Sequence, residues 1–195
     1  MNEEENIEED KKDIKYEIWE NIKYIGLGII FAIILNKGLG FVLNTDLPIV
    51  AVMTTSMVHD STTPVRHYQF LEENFNYTKE EIDSWSINGG FRPGDVLIIK
   101  GVPTEDLELG DVIVFKHRDQ PVPIIHRIVD IEDGYPYTKG DHNPIMDPDC
   151  ELFDQNVVGC WERTEIKGKA ITWIPFLGIP KLILHNIIMF VGGLV

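Results

Sequence analysis

Two stretches of this chain repeat one pattern. Pro93-Gly94-Asp95-Val96-Leu97-Ile98-Ile99-Lys100 and Leu109-Gly110-Asp111-Val112-Ile113-Val114-Phe115-Lys116 each pass from a Gly-Asp turn into an apolar, β-branched run that stops at lysine. Gly and Asp favour the turn, and β-branched side chains suit a pleated, half-buried surface, so two similar strands are expected. Residues 48–52 form another short apolar run, 123–131 alternate, and 135–139, 156–161 and 169–173 supply further strand-like segments. The chain is therefore expected to be mainly β, with antiparallel strands rather than βαβ units. Residues 58–90 break this character with His59, Asp60, Ser61, Thr62, Thr63 and Pro64, a short helix expected around 78–85, and Asn88-Gly89-Gly90. They form an excursion from the β domain.

Ahead of the β region, residues 22–42 are mostly apolar and would span about 32 Å as a helix, against ~30 Å for the hydrocarbon of a bilayer. Asn36 and Lys37 interrupt this run, and Lys23 lies where it can snorkel. A cleaved signal peptide would begin with a short basic stretch, whereas acidic residues come first here. The expectation is an uncleaved transmembrane anchor over 22–43, preceded by an acidic tail over 1–21 that is too polar to bury a core. Lys11, Lys12 and Lys15 precede the anchor, Lys23 lies at its start and only Lys37 sits near its far end, which places the N-terminus in the cytoplasm and residues 44–175 outside it. Residues 176–195 are again apolar but carry Lys181, His185 and Asn186. A second span, an interfacial helix and a core helix all fit them.

The formal net charge of −15 gives a phosphate backbone nothing to bind, so nucleic acid is not expected as a partner. Cys150 and Cys160 match neither a C-x-x-C motif nor a disulfide-dense scaffold, and either pairing or simple packing suits them. Six histidines show no H-E-x-x-H or H-x-x-E-H spacing, so neither metal nor cofactor is expected.

A hydroxyl nucleophile needs a base within reach, and the base needs an orienting group. Ser56 follows the 48–52 run closely after the anchor, His126 lies within Ile124-Ile125-His126-Arg127-Ile128-Val129, and Asp141 and Asp147 lie in the turn-rich 139–147 segment. Taken singly, a histidine in an apolar strand is an ordinary structural residue, and an aspartate beside glycine or proline is an ordinary turn former. Their order is neither that of α/β-hydrolases nor accompanied by a G-x-S-x-G elbow.

The order of the motifs is more specific than any one of them. Ser56-Met57, Arg92-Pro93-Gly94-Asp95, Gly110-Asp111-Val112, Ile125-His126-Arg127 and Lys139-Gly140-Asp141-His142-Asn143 occur in sequence, followed by Val157-Val158-Gly159 and Pro175-Phe176-Leu177-Gly178. Over about residues 47–180 this arrangement resembles the type I signal peptidases, and His126 in place of a lysine resembles their endoplasmic reticulum and archaeal subtype. The resemblance implies a signal-peptidase-like β domain in which Ser56 is the nucleophile, His126 the general base, Asp147 the orienting acid and Asp141 a supporting carboxylate. It further implies that Thr54 helps to hold the oxyanion and that the shallow substrate pockets are lined by Met57 and apolar residues such as Ile98 and Val112, although a core role is the more ordinary reading for each. The family often has glycine where this chain has Thr55; a positive φ there would strain a β-branched residue.

The implied substrates are the signal peptides of secretory preproteins, bound as an added strand, with membrane lipid and the protein translocation machinery as neighbours. The implied location is the cell membrane, or the endoplasmic reticulum membrane in a eukaryote. The rival expectation is a non-catalytic, membrane-anchored scaffold for secretory partners.

Overall fold

The computed structural model describes residues 3–60, 63–117, 122–147 and 164–192. The expected 156–161 strand and both cysteines lie outside them. The chain separates into two compact units, Met1–Val42 and Leu43–Val195.

The first unit is one helix, α1 (Glu3–Val42). The helix was expected to begin near residue 22, after an unstructured tail, but it starts at Glu3. Glu and Lys are good helix formers, and extending a helix already nucleated in the apolar segment costs little per residue. Within it, Lys15–Val42 is long and apolar enough to cross a membrane; its 28 residues extend about 42 Å.

The second unit is built on a six-stranded antiparallel sheet of β1 (Ile49–Ala51), β2 (Val96–Lys100), β3 (Val112–His117), β4 (Ile124–Glu132), β5 (Tyr135–Lys139) and β6 (Thr164–Ile174). Their order is β1-β2-β6-β3-β4-β5, so the two Gly-Asp strands β2 and β3 do not touch but flank β6. The Gly-Asp motifs work alike. Asp95 accepts the Arg92 N–H at 2.9 Å and the Phe176 N–H at 3.2 Å, while Asp111 accepts the Glu108 N–H at 3.0 Å and an ammonium hydrogen of Lys169 at 2.8 Å. Each carboxylate thus closes its own turn and ties it to the β6 region. β6 is longer than the expected 169–173 because its first half mixes charged and apolar residues and lacks a clean strand period. Gly168 is required there: it adopts φ +139°, and a Cβ would lie 2.2 Å from the Lys100 carbonyl oxygen.

Met57, Phe91, Leu97, Ile99, Val112 and Val114 pack into one core cluster. The excursion holds α2 (Thr63–Phe75), which was not expected, and α3 (Lys79–Asp83). Asp60 begins α2 by accepting the Thr63 N–H at 2.8 Å, and Pro64 falls in the first turn, where its missing N–H is no loss. Thr78 and Glu81 form a capping box on α3. Leu71 of α2 and Ile82 of α3 pack with Val129 of β4, joined by Phe70, Trp85 and Met146. The excursion is therefore seated on the sheet beside the 139–147 segment.

α4 (Ile179–Gly192) follows the sheet. Its 14 residues extend about 21 Å, short of a bilayer's hydrocarbon. Ile183, Leu184, Ile187, Ile188, Met189 and Phe190 are all exposed along it.

Candidate active site

Ser56 is held by backbone bonds on both sides. The chain leaving β1 stays attached to the 94–95 turn, with the Val52 N–H donating to Asp95 O at 2.8 Å and the Gly94 N–H to Val52 O at 2.9 Å. Residues 54–58 then turn, and the Val58 N–H donates to Thr55 O at 3.0 Å. The Ser56 carbonyl accepts the His142 N–H at 2.8 Å, and the Met57 carbonyl accepts the Phe91 N–H at 2.7 Å. Gly140 makes room for this approach, since a Cβ there would lie 2.8 Å from Ser56 O. Thr55 is not among the residues of positive φ, so the turn accepts a β-branched residue without strain. The Thr54 and Ser56 hydroxyl oxygens lie 3.3 Å apart.

Met57 takes the core role rather than an exposed one: it is 1% exposed within the core cluster, and its sulfur accepts the Asp141 N–H at 3.5 Å. Its unbranched, polarizable side chain fills the space under the serine turn.

His126 lies on β4, opposite Ile113 of β3, with its ring edge-on to Phe115. Its Nδ1 is 2.5 Å from Asp147 Oδ2. An ionised carboxylate can only accept, so this contact suits the tautomer of a neutral imidazole with its proton on Nδ1. The same Asp147 oxygen accepts the Thr138 hydroxyl at 2.5 Å.

Asp141 does not reach His126. It is fully buried, and Arg127 pairs with both its oxygens, Nε to Oδ1 at 2.9 Å and Nη2 to Oδ2 at 2.8 Å. His59 Nε2 lies 2.9 Å from Oδ2 and His67 Nε2 3.7 Å from Oδ1. Arg127 also donates to the carbonyls of Ser86, Gly110 and Ile87, each at 2.9 Å. Burial alone would raise the Asp141 carboxyl, but Arg127 and the two histidines outweigh it and hold the group well below the usual range. Burial lowers the His67 imidazole to about 4 against the pull of Asp141, and lowers the Lys139 amine to about 8 against Asp141 and Asp147. Lys139 Nζ donates to Gly140 O at 3.0 Å and lies over the Phe70 ring.

The structure thus brings together Ser56 with Thr54, His126 with Asp147, and Asp141 with Arg127, and it joins the Ser56 turn to the 140–142 segment. Among the described residues no hydrogen bond links Ser56 Oγ to His126, a contact that in unliganded sites often tightens only with substrate. Among the same residues, no group of three or more His, Cys, Asp or Glu side chains is arranged to hold a metal ion. Arg127, His59, His67 and Thr138 were not anticipated in these positions. Only Arg127 left a usable signal: a guanidinium in an otherwise apolar strand demands a buried acidic partner.

A mainly antiparallel β domain following an apolar N-terminal helix, with serine, histidine and two aspartates on adjoining segments, is the class of protein so defined. No family model matches the chain. Curated proteins do. It is 27% identical over 117 residues to "Signal peptidase complex catalytic subunit SEC11C" of Rattus norvegicus, covering 57% of this chain and 59% of that one. The protein of that name in Homo sapiens is 27% identical over 108 residues, 53% of this chain and 55% of its own. "Signal peptidase complex catalytic subunit SEC11" of Pyricularia oryzae is 30% identical over 109 residues, 53% and 61% respectively. The chain spans between half and two thirds of the length of these relatives. Over about half its length the chain is thus similar to proteins named as signal peptidase complex catalytic subunits.

Proposed function

We propose that this chain is a membrane-anchored serine endopeptidase that removes N-terminal signal peptides from secretory preproteins. The observation that carries the reading is the contact of His126 Nδ1 with Asp147 Oδ2, on a histidine of a domain whose relatives are named as signal peptidase catalytic subunits. In the first half-reaction, His126 Nε2 takes the Ser56 hydroxyl proton as Oγ attacks the scissile carbonyl carbon. The Ser56 N–H and the Thr54 hydroxyl stabilise the oxyanion, consistent with Thr54 Oγ1 lying 3.3 Å from Ser56 Oγ. The C–N bond breaks, His126 returns the proton to the departing amine of the mature protein, and the signal peptide remains as an ester on Ser56. Water, deprotonated by His126, attacks that ester; the signal peptide leaves as a carboxylic acid and Ser56 regains its proton.

Asp147 orients His126 and stabilises its charged form. Asp141 acts at one remove, fixing the 140–142 segment on which the Ser56 turn leans. β1 ends the sheet and runs directly into the Ser56 turn, which suits a peptide added along its edge. The apolar part of α1 serves as the anchor, with the preceding lysines on the cytoplasmic side, and the exposed apolar residues of α4 suit contact with lipid. Membrane lipid and the translocation machinery are the expected surroundings.

The test is cleavage of a purified preprotein by the full chain in detergent. Wild type should release the signal peptide with EDTA present, and Ser56→Ala should release none. Release by folded Ser56→Ala would leave the chain as a scaffold carrying a contaminant's activity, and loss of wild-type activity in EDTA would indicate a metal enzyme.

A further inference from the structure

Asp147 lies on irregular chain beyond β5, and its side chain keeps 26% of its surface exposed. A single contact with His126 would leave it able to turn about its own torsions into solvent. Thr138 removes that freedom. This residue is 4% exposed on β5, where it pairs with Ile128 of β4, two positions along from His126. Its carbonyl accepts the Asp147 N–H at 2.8 Å, and its hydroxyl donates to Asp147 Oδ2 at 2.5 Å, the same oxygen that faces His126.

The hydroxyl is a suitable donor because an ionised carboxylate only accepts, and because a β-branched side chain on a paired strand is stiff at χ1. The strand therefore delivers a donor already oriented, and Asp147 is gripped at both backbone and side chain by one residue. We propose that Thr138 is a positioning residue that locks Asp147 against His126, so that the acid is in place before substrate binds. The proposal rests on the Ser56–His126–Asp147 reading.

The experiment uses the full-length chain in detergent and a fluorogenic peptide with alanine at the first and third positions before the scissile bond. Thr138→Val keeps the shape and deletes the donor; kcat should fall about tenfold, the worth of one hydrogen bond to a charged group. KM should stay within about twofold, since substrate binding is untouched. Thr138→Ser restores a hydroxyl and should recover most of the loss, which a merely structural role would not predict. Thr138→Ala carries the same expectation as the valine variant if valine misfolds. Asp147→Ala separates the two readings. If it is inactive while folded Thr138→Val or Thr138→Ala turns over at the wild-type kcat, or Thr138→Ser is as slow as the valine variant, the role of Thr138 is overturned and the triad stands. If Asp147→Ala itself cleaves at the wild-type rate, the triad reading falls and the proposal with it.

Discussion

The carbonyl oxygen of Ser56 and the amide of His142 are joined by a hydrogen bond of 2.8 Å, which couples the serine turn to the segment holding both aspartates. Gly140 lies under this bond with no room for a Cβ. Gly140→Ala should therefore push the Ser56 backbone outward, reducing kcat by at least about tenfold and costing about 1–3 kcal/mol of stability. Peptide turnover and urea unfolding measured on the same preparation check both numbers. A variant with wild-type kcat would show that the position of the Ser56 turn does not depend on this contact.

Arg127 and Asp141 form a buried bidentate pair, and the guanidinium also satisfies three carbonyls, two of them at the end of the excursion. Removing one member leaves an uncompensated buried charge. Arg127→Met is expected to cost about 3–5 kcal/mol, measured as a shift in the urea midpoint. A change below about 0.5 kcal/mol would mean that the excursion is held by its apolar contacts alone.

The buried His67 makes stability depend on pH. Its folded value is about 4 against an ordinary 6.5, so between these values the unfolded chain binds a proton that the folded chain refuses. The folded state consequently loses stability as pH falls from 6.5 to about 4, and below that the loss is complete. Asp141 acts in a lower window: its depressed carboxyl contributes stability that is lost only as pH falls below the ordinary aspartate value. His67→Gln should flatten the slope of unfolding free energy against pH between 6.5 and 4. An unchanged slope would place the acid sensitivity elsewhere.

The mainly β fold is legible because β2 and β3 carry a Gly-Asp start followed by β-branched residues, and β4 and β5 are short runs with β-branched or aromatic residues, all local signals. Two features are not. α2 begins in a run of Thr, Ser, Asp and Pro that reads as loop, and Pro64 becomes a helix starter only because Asp60 caps it. The placement of β6 between the two similar strands is a matter of topology, which local pattern does not encode.

At the candidate site, Ser56, His126, Asp141 and Asp147 surface in the sequence through the order of their motifs. The different surroundings of the two aspartates do not. Which carboxylate meets His126 and which meets Arg127 depends on the path of the chain after β5, and a threonine such as Thr138 has no chemical signature in a strand. For Met57 the two readings open in the sequence are a pocket wall and a core residue, and its bulk places it in the core.

A protease acting at a membrane gains from holding its nucleophile near the surface, and Ser56 follows Leu43 by thirteen residues, a reach of at most about 43 Å. Deleting residues 1–43 should leave a domain that cuts a short soluble peptide at close to the full rate but processes a membrane-inserted preprotein at least about tenfold more slowly. Ending this form at Pro175 removes the exposed apolar α4 and should let it be purified without detergent. Equal rates on the inserted preprotein with and without residues 1–43 would show that tethering contributes nothing.

The central claim is that Ser56 and His126 act as one unit, and a double-mutant cycle on preprotein cleavage tests it most directly. Groups that act together are not additive, so Ser56→Ala and His126→Ala should each reduce the rate to the same residual level, and the double variant should fall no lower. Ser56→Ala should unfold in urea close to wild type, whereas His126→Ala removes a buried ring and is compared only where urea shows it folded. Cleavage at the wild-type rate by either folded single variant, or losses that multiply in the double variant, would contradict the account.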